Sequence, residues 1–368
     1  MHLEFVKTWI YLWTEPLWLI ALLLPIFFTI YTNLLERKHF GQIVEAPLPT
    51  ILRTCFYGVL MGFILSFALS SFLFILSKEE LLLVWIITIC FAVFRRRFAC
   101  IAYSVGFISL LHLLLPYLHI TVLPVGLVKW YYVIERFSVL NWLYIVGFTH
   151  FLEWILIRAE GSISSTPVRL DHISGKTVPA YLLAKAWPIS FVALTPAGWL
   201  PLPIMIGFAS KTCSKPLKQK KRMISTLTLI YAAVLSVLLW IATMQSAWIW
   251  VAAIFALFGH EMMYLWSRFM ERRKVPLFVS DEKGLKVLAV LPQTPAAILG
   301  IKTGDIIHRL NGVRIQTAAD LEQAVSLSSF CKLEVLDEQH DSHFLQRAIY
   351  EKDPKHLGIV GADPIYRQ

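Results

Sequence analysis

Eight apolar stretches recur through the first three quarters of the chain, separated by short charged segments, at about 9–32, 55–76, 81–94, 98–118, 139–157, 187–209, 224–243 and 247–266. A helix needs roughly 20 apolar residues to cross the hydrocarbon core of a bilayer, and most of these runs reach that length. The run 81–94 is short, but Arg95, Arg96 and Arg97 follow it, and long cationic side chains can reach back to the headgroups from a short or tilted span. Over 368 residues, 57% are hydrophobic and 16% charged, whereas soluble domains average about 45–50% and about 25%. A soluble enzyme, a disordered tail protein and a fibrous repeat are thereby excluded. No small-residue cleavage site follows the first run, which reads as an anchor and not as a removable signal peptide.

The formal net charge is +10, carried unevenly. Residues 1–275 hold 24 Lys and Arg against 12 Asp and Glu, and residues 276–368 hold 10 against 12. A basic excess confined to the apolar block points to membrane orientation, not to nucleic acid. The stretch Lys211–Arg222, with six cations and no acid, reads first as an inside-retention signal and second as a contact for anionic lipid. If all eight runs cross, the loops divide their cations evenly. Run 187–209 carries Pro188, Pro196, Pro201 and Pro203, breaks that lipid does not tolerate unless neighbours satisfy the freed backbone. If that run is re-entrant or interfacial, sixteen loop cations fall on one side and four on the other. Seven crossings then put the N-terminus outside, and both arrangements put the C-terminus in the cytoplasm. The five cysteines, Cys55, Cys90, Cys100, Cys213 and Cys331, form no CxxC pair and read as small hydrophobes.

The composition changes at Arg268–Pro276, which divides the chain into a multi-span domain over 1–267 and a small α+β domain over 276–368. In the latter, GLKVLAV (284–290) alternates like a half-buried strand. Thr294 caps a short helix with Pro295 at its first position and Gly300 as its stop. Gly304-Asp305 turns into the strand IIHRL (306–310), and Asn311-Gly312 is a hairpin turn. Thr317 caps a helix whose Ala318, Leu321, Ala324 and Val325 share one face, and CKLEVLD (331–337) is a further strand. This order, with LPQTPAAILGIKTGDIIHRLNGVRI, resembles a PDZ domain of the bacterial type. The resemblance implies peptide binding by strand addition, between an edge strand at Pro276–Ser280 (Leu277, Phe278, Val279) and a helix wall presenting Leu321, Ala324 and Val325. The glycine-bearing carboxylate loop of such domains is missing from PLFVS. An internal peptide segment, or a PDZ fold that serves only as a docking surface, are the other readings.

A membrane block with a PDZ domain also suggests an intramembrane metalloprotease or its regulator. Such an enzyme needs HExxH, two imidazoles one helical turn apart with a glutamate between them. The nearest match is His260-Glu261-Met262-Met263-Tyr264, where Tyr264 stands in the second ligand position. The sequence therefore nominates no catalytic residue, no metal and no cofactor. His150 and Glu153 lie three apart in one run and His260 and Glu261 in another, so a His/Glu cluster able to hold a metal or relay protons forms if the two helices meet. Hydrogen bonding that fixes the bundle is the plainer role for them. His112 and His119 lie nearer a span end.

Three stretches resemble the MinJ family: FRRRFACIAYSVG (94–106), HFLEW (150–154) with AWPIS (186–190), and the tail from Lys286 to Val360, ending in AIYEKDPKHLGIV. The chain departs from the family pattern at Pro354-Lys355-His356. The resemblance implies a polytopic, non-enzymatic plasma-membrane adaptor enriched at the septum and cell poles. It implies partners too: a coiled-coil pole marker of the DivIVA type, and the Min-system inhibitor with its ATPase and other division proteins. A single cysteine placed at the N-terminus tests the topology. Seven crossings predict labelling from outside in intact cells, and eight predict none.

Overall fold

The structure, a computed structural model, describes residues 2–118, 124–171, 177–337, 339–350 and 356–362. His119, Pro354 and Lys355 lie outside the described residues. Seven of the eight apolar runs are helical. Five helices are long and apolar enough to cross a membrane: α2 (Pro16–Phe40), α3 (Pro47–Ala68), α7 (Val139–Glu160), α8 (Leu217–Met244) and the continuous Trp248–Arg272. The last comprises α9 (Trp248–Ile254), a π-helical turn over Phe255–Gly259 and α10 (His260–Arg272). The shorter α4 (Lys78–Phe94) and α5 (Ile101–Leu114) accompany them, with α1 (His2–Tyr11) before α2 and α6 (Val125–Glu135) between α5 and α7. In α7, 61% of the apolar window is buried, against 17–33% in the other four long helices. That helix is the centre of the bundle, and the others turn apolar faces outward, as lipid-facing helices do.

Run 187–209 is neither a spanning helix nor a re-entrant one. It belongs to a long antiparallel hairpin of β2 (Thr177–Thr195) and β3 (Gly198–Thr212), with β1 (Thr166–Asp171) paired to the base of β2. Prolines that would break a helix are tolerated here, because a strand needs a backbone N–H only where it faces a partner acceptor. Almost every residue of β2 is buried, so its polar backbone must be satisfied from the helices. Trp9 Nε1 donates to Ser190 O at 3.1 Å and Trp85 Nε1 to Pro203 O at 2.9 Å. Val192 N–H donates to Ser66 Oγ at 2.9 Å, and Ser190 Oγ to Val59 O at 3.0 Å. Helix α3 comes this close through Gly58 and Gly62, where an added Cβ would sit 2.3 Å from Pro188 O and 2.3 Å from Ser190 N respectively.

The C-terminal sheet has the order β8-β7-β5-β4-β9, with β6 paired to β5. Its strands are β4 (Leu285–Val290), β5 (Ile306–Leu310), β6 (Val313–Arg314), β7 (Phe330–Leu336), β8 (Ser342–Ala348) and β9 (Ile359–Ala362), with α11 (Pro295–Ile298) and α12 (Ala318–Ser326). Pro295 opens α11, and Gly300 follows it with φ +78°. Gly304 (φ +100°) and Asp305 lead into β5. Asn311 (φ 50°) and Gly312 (φ 84°) make the tight turn between β5 and β6, both in the left-handed region that such a turn requires. Leu285, Val287, Ile307, Leu310, Leu321 and Val325 are among the residues of this domain's own core.

The expected edge strand at Pro276–Ser280 is absent: that segment is irregular. The position beside β4 is taken instead by β9 from the chain's far end. Leu277 N–H donates to Cys213 O at 2.7 Å, and Phe278 is buried with its ring 4.8 Å from that of Tyr181. Val279 is half-buried. Replacing Gly62 by Val should lower stability by about 1–3 kcal/mol, the usual range for overpacking. Gly126→Ala, where nothing lies within 4 Å, should be neutral or stabilising by up to about 1 kcal/mol. Thermal unfolding of the two variants in detergent measures both.

Candidate functional sites in the bundle and on the C-terminal sheet

Two places gather functional chemistry. The first lies inside the bundle, where α5, α7 and α10 meet. His150 is fully buried at mid-α7, and its Nδ1 stands 2.7 Å from Val146 O one turn earlier. That carbonyl can only accept, so the ring proton sits on Nδ1 and Nε2 presents a lone pair. Cys100 Sγ lies 3.5 Å from this Nε2, and Glu153 Oε2 lies 3.6 Å from it. His260 Nδ1 is 3.0 Å from Tyr103 Oη, which itself donates to Glu261 Oε2 at 3.0 Å. Arg97 closes the chain with a 2.7 Å ion pair to Glu261. The His150 and His260 rings are 5.3 Å apart between centroids.

His150, Glu153, His260 and Glu261 thus converge from two helices, and Cys100 joins them. Its place in the apolar sequence suggested only a small hydrophobe. The signal that could have found it was its position in FRRRFACIAYSVG, directly at the start of α5. The π-helical turn Phe255–Gly259 inserts extra winding immediately before His260 and sets which way that side chain faces. Tyr264 lies under the Arg97 guanidinium, 4.0 Å from centre to ring, so the HExxH-like stretch offers no second imidazole there. His112 lies apart from the cluster, its Nδ1 bonded to Ile134 O at 2.8 Å.

The second place is the edge of the C-terminal sheet. β9 is an edge strand and lies against α12. Leu357 and Gly358 precede it, and Gly358 has φ +82° with Thr294 pressed against its Cα. A glycine-bearing turn that leads into an edge strand thus lies at the opposite end of the domain from PLFVS. A four-residue strand some 70 residues from its partner is invisible to periodicity, although LGIV stands in the tail that carried the family resemblance. Leu321 and Val325 point into the domain core, and Ala324 is half-buried. Thr317 and Asp320 form a full capping box for α12, with Thr317 N–H and Gln316 N–H donating to Asp320 Oδ2 at 2.9 and 3.0 Å.

These domains touch. β4 bulges between Val287 and Ala289, and the Leu288 carbonyl accepts a hydrogen bond from Tyr181 Oη of β2. Phe278, Ala289, Leu291, Val360 and Ala362 belong to the same apolar cluster as the hairpin. At about 3.3 Å per residue, 19-residue β2 spans about 60 Å, enough to join the bundle interior to this contact.

No family model matches the chain. It is similar to the cell division topological determinant MinJ of Bacillus subtilis (strain 168), 26% identical over 175 residues, which are 47% of this chain and 44% of that protein. The chain thus matches less than half the length of that curated relative, and the likeness supports a relationship to its family. Among solved structures, the PDZ domain of an SdrC-like protein from Listeria monocytogenes is 17% identical, covering 22% of this chain and 90% of that one with a TM-score of 0.19.

The backbone donors from Gln316 and Thr317 hold the Asp320 carboxyl below its ordinary value. A depressed carboxylate stabilises the fold above its unfolded pKa, about 3.9, and that contribution disappears as pH falls through the folded value. The protection factors of the α12 amides, exchange corrected for its intrinsic pH dependence, should therefore fall below about pH 4, and Asp320→Asn should flatten that dependence. Tyr181→Phe leaves Leu288 O without its donor, a loss of about 1–3 kcal/mol for a buried acceptor, and should raise exchange selectively over 285–291.

Proposed function

We propose that the chain is a non-enzymatic membrane adaptor of the cell-division site. The similarity to a division topological determinant carries this reading, and the architecture is compatible with it. A block of apolar helices, 1–267, anchors the chain. A small α+β domain, 276–368, displays a sheet edge beside a helix. With run 187–209 folded as a hairpin, seven apolar helices remain. The loop charges then favour an external N-terminus and a cytoplasmic C-terminal domain. The basic segment Lys211–Arg222 lies on the same inner side, where anionic lipid is available to it.

On this reading the groove between β9 and α12 takes an extended segment of a partner by strand addition, its backbone pairing with β9. The partners are a DivIVA-type coiled-coil protein and the Min-system inhibitor with its ATPase, and the protein is enriched at septum and poles. Binding by β9 offers main-chain hydrogen bonds for affinity, with Ala324 on the opposing wall small enough to admit a side chain.

A fluorescent fusion imaged in the host with and without its coiled-coil pole marker tests the reading. Septal and polar enrichment that collapses to uniform membrane signal without the marker is expected. Uniform signal in both strains would overturn the adaptor role. Ala324→Glu should abolish co-purification of the partner while leaving membrane levels unchanged.

A further inference from the structure

We propose that Cys100, His150 and His260 bind one transition-metal ion, Zn²⁺ by its chemistry, inside the helix bundle, with the Glu153 carboxylate beside it. This does not rest on the adaptor reading. One ligand atom from each of Cys100, His150 and His260 lies within 4.8 Å of the others. The tautomer of His150 directs a lone pair from Nε2 toward both Cys100 and Glu153. A thiol proton could occupy that lone pair, but nothing is then left for the carboxylate. Glu153 Oε2 is buried without a hydrogen-bond partner, and its 3.6 Å distance from Nε2 is too long for one. Sulfur and carboxylate oxygen both crowd one imidazole nitrogen, and the carboxylate oxygen is left without a partner, which a cation resolves.

The spacing fits the ion. Zn–S and Zn–N bonds of about 2.3 and 2.0 Å at a tetrahedral angle place the two donors about 3.5 Å apart; Cys100 Sγ and His150 Nε2 are 3.5 Å apart. A thiolate with two imidazoles selects zinc or copper over magnesium or calcium. Charge also fits: a thiolate and a carboxylate neutralise a divalent ion, and an electrically neutral site is the one that apolar surroundings tolerate.

Outer partners fix both imidazoles, as metal-binding histidines require. Val146 O orients His150, and the chain Tyr103–Glu261–Arg97 orients His260. Because Tyr103 gives its own proton to Glu261, His260 donates from Nδ1 and keeps its Nε2 lone pair. A cavity of about 640 Å³ is bordered by Glu153 and His260 and extends to Lys211 and Arg268, which gives an ion a way in. Binding displaces the Cys100 thiol proton, so affinity falls as the medium becomes more acidic.

The test uses the full chain purified in detergent, with Zn²⁺ measured by elemental mass spectrometry and Co²⁺ as an optical probe. About one zinc per chain is expected, together with a thiolate-to-cobalt charge-transfer band that Cys100→Ser removes. Tyr103→Phe, a positioning variant, should weaken affinity about tenfold with the band retained. Size-exclusion profiles and melting curves verify that each variant is folded. Folded wild-type protein that binds no more zinc or cobalt than a folded Cys100→Ser/His260→Ala double variant overturns the site. Cobalt binding without the charge-transfer band removes Cys100 as ligand and overturns the assignment, and copper in place of zinc overturns the choice of ion.

Discussion

The backbone of the β2–β3 hairpin has to be hydrogen-bonded at a depth where no water is available, and the rest of the fold is arranged around that requirement. Strand pairing satisfies one edge of each strand, and the remaining polar groups depend on side chains of α1, α3 and α4. The indoles of Trp9 and Trp85 and the hydroxyl of Ser66 each close a particular backbone gap. Gly58 and Gly62 let α3 approach near enough for this to work. A spacing that in apolar sequences ordinarily marks helix–helix contact serves here for a helix against a strand.

Buried carboxylates then lock the hairpin to its surroundings. Glu160 of α7 accepts from Trp187 and Thr54 and is approached by Arg53 and Lys185. Glu271 of α10 accepts from Lys220 and from the backbone of Cys213 and Ser214, joining the end of β3 to the first turn of α8. Removing one partner of such a pair would leave a charge stranded in a low-dielectric interior, which costs far more than the intact pair contributes. The hairpin also continues to Tyr181 and its contact with Leu288, so one element touches both the bundle interior and the C-terminal sheet. The Cys100–His150–His260 cluster is tied to this framework through His150, which shares the central helix α7 with Glu160.

The small domain was legible from residue types because its turns need particular backbone conformations. Asn311-Gly312, Gly300 and the Thr317–Asp320 box stand where local rules place them. The helices were legible because length and apolar content are local properties. The prolines of 187–209 misled for the same reason: read locally they break a helix, and no local property shows that 198–212 will pair with 181–195 residue for residue. The edge strand was misplaced to Pro276–Ser280 because β9 comes from the other end of the domain, and Phe278 is instead consumed by packing against Tyr181.

By itself the sequence determined the apolar helices and the turn chemistry of the C-terminal region, since each follows from composition or from residues close along the chain. It also showed His150, Glu153, His260 and Glu261 as polar groups in an apolar block. Only the tertiary structure decided that they meet, that Cys100 joins the group, and that the sheet edge beside α12 is β9. Those outcomes rest on long-range contacts, and on one hydrogen bond to Val146 that chooses the face His150 presents. No pattern within a single segment carries that information.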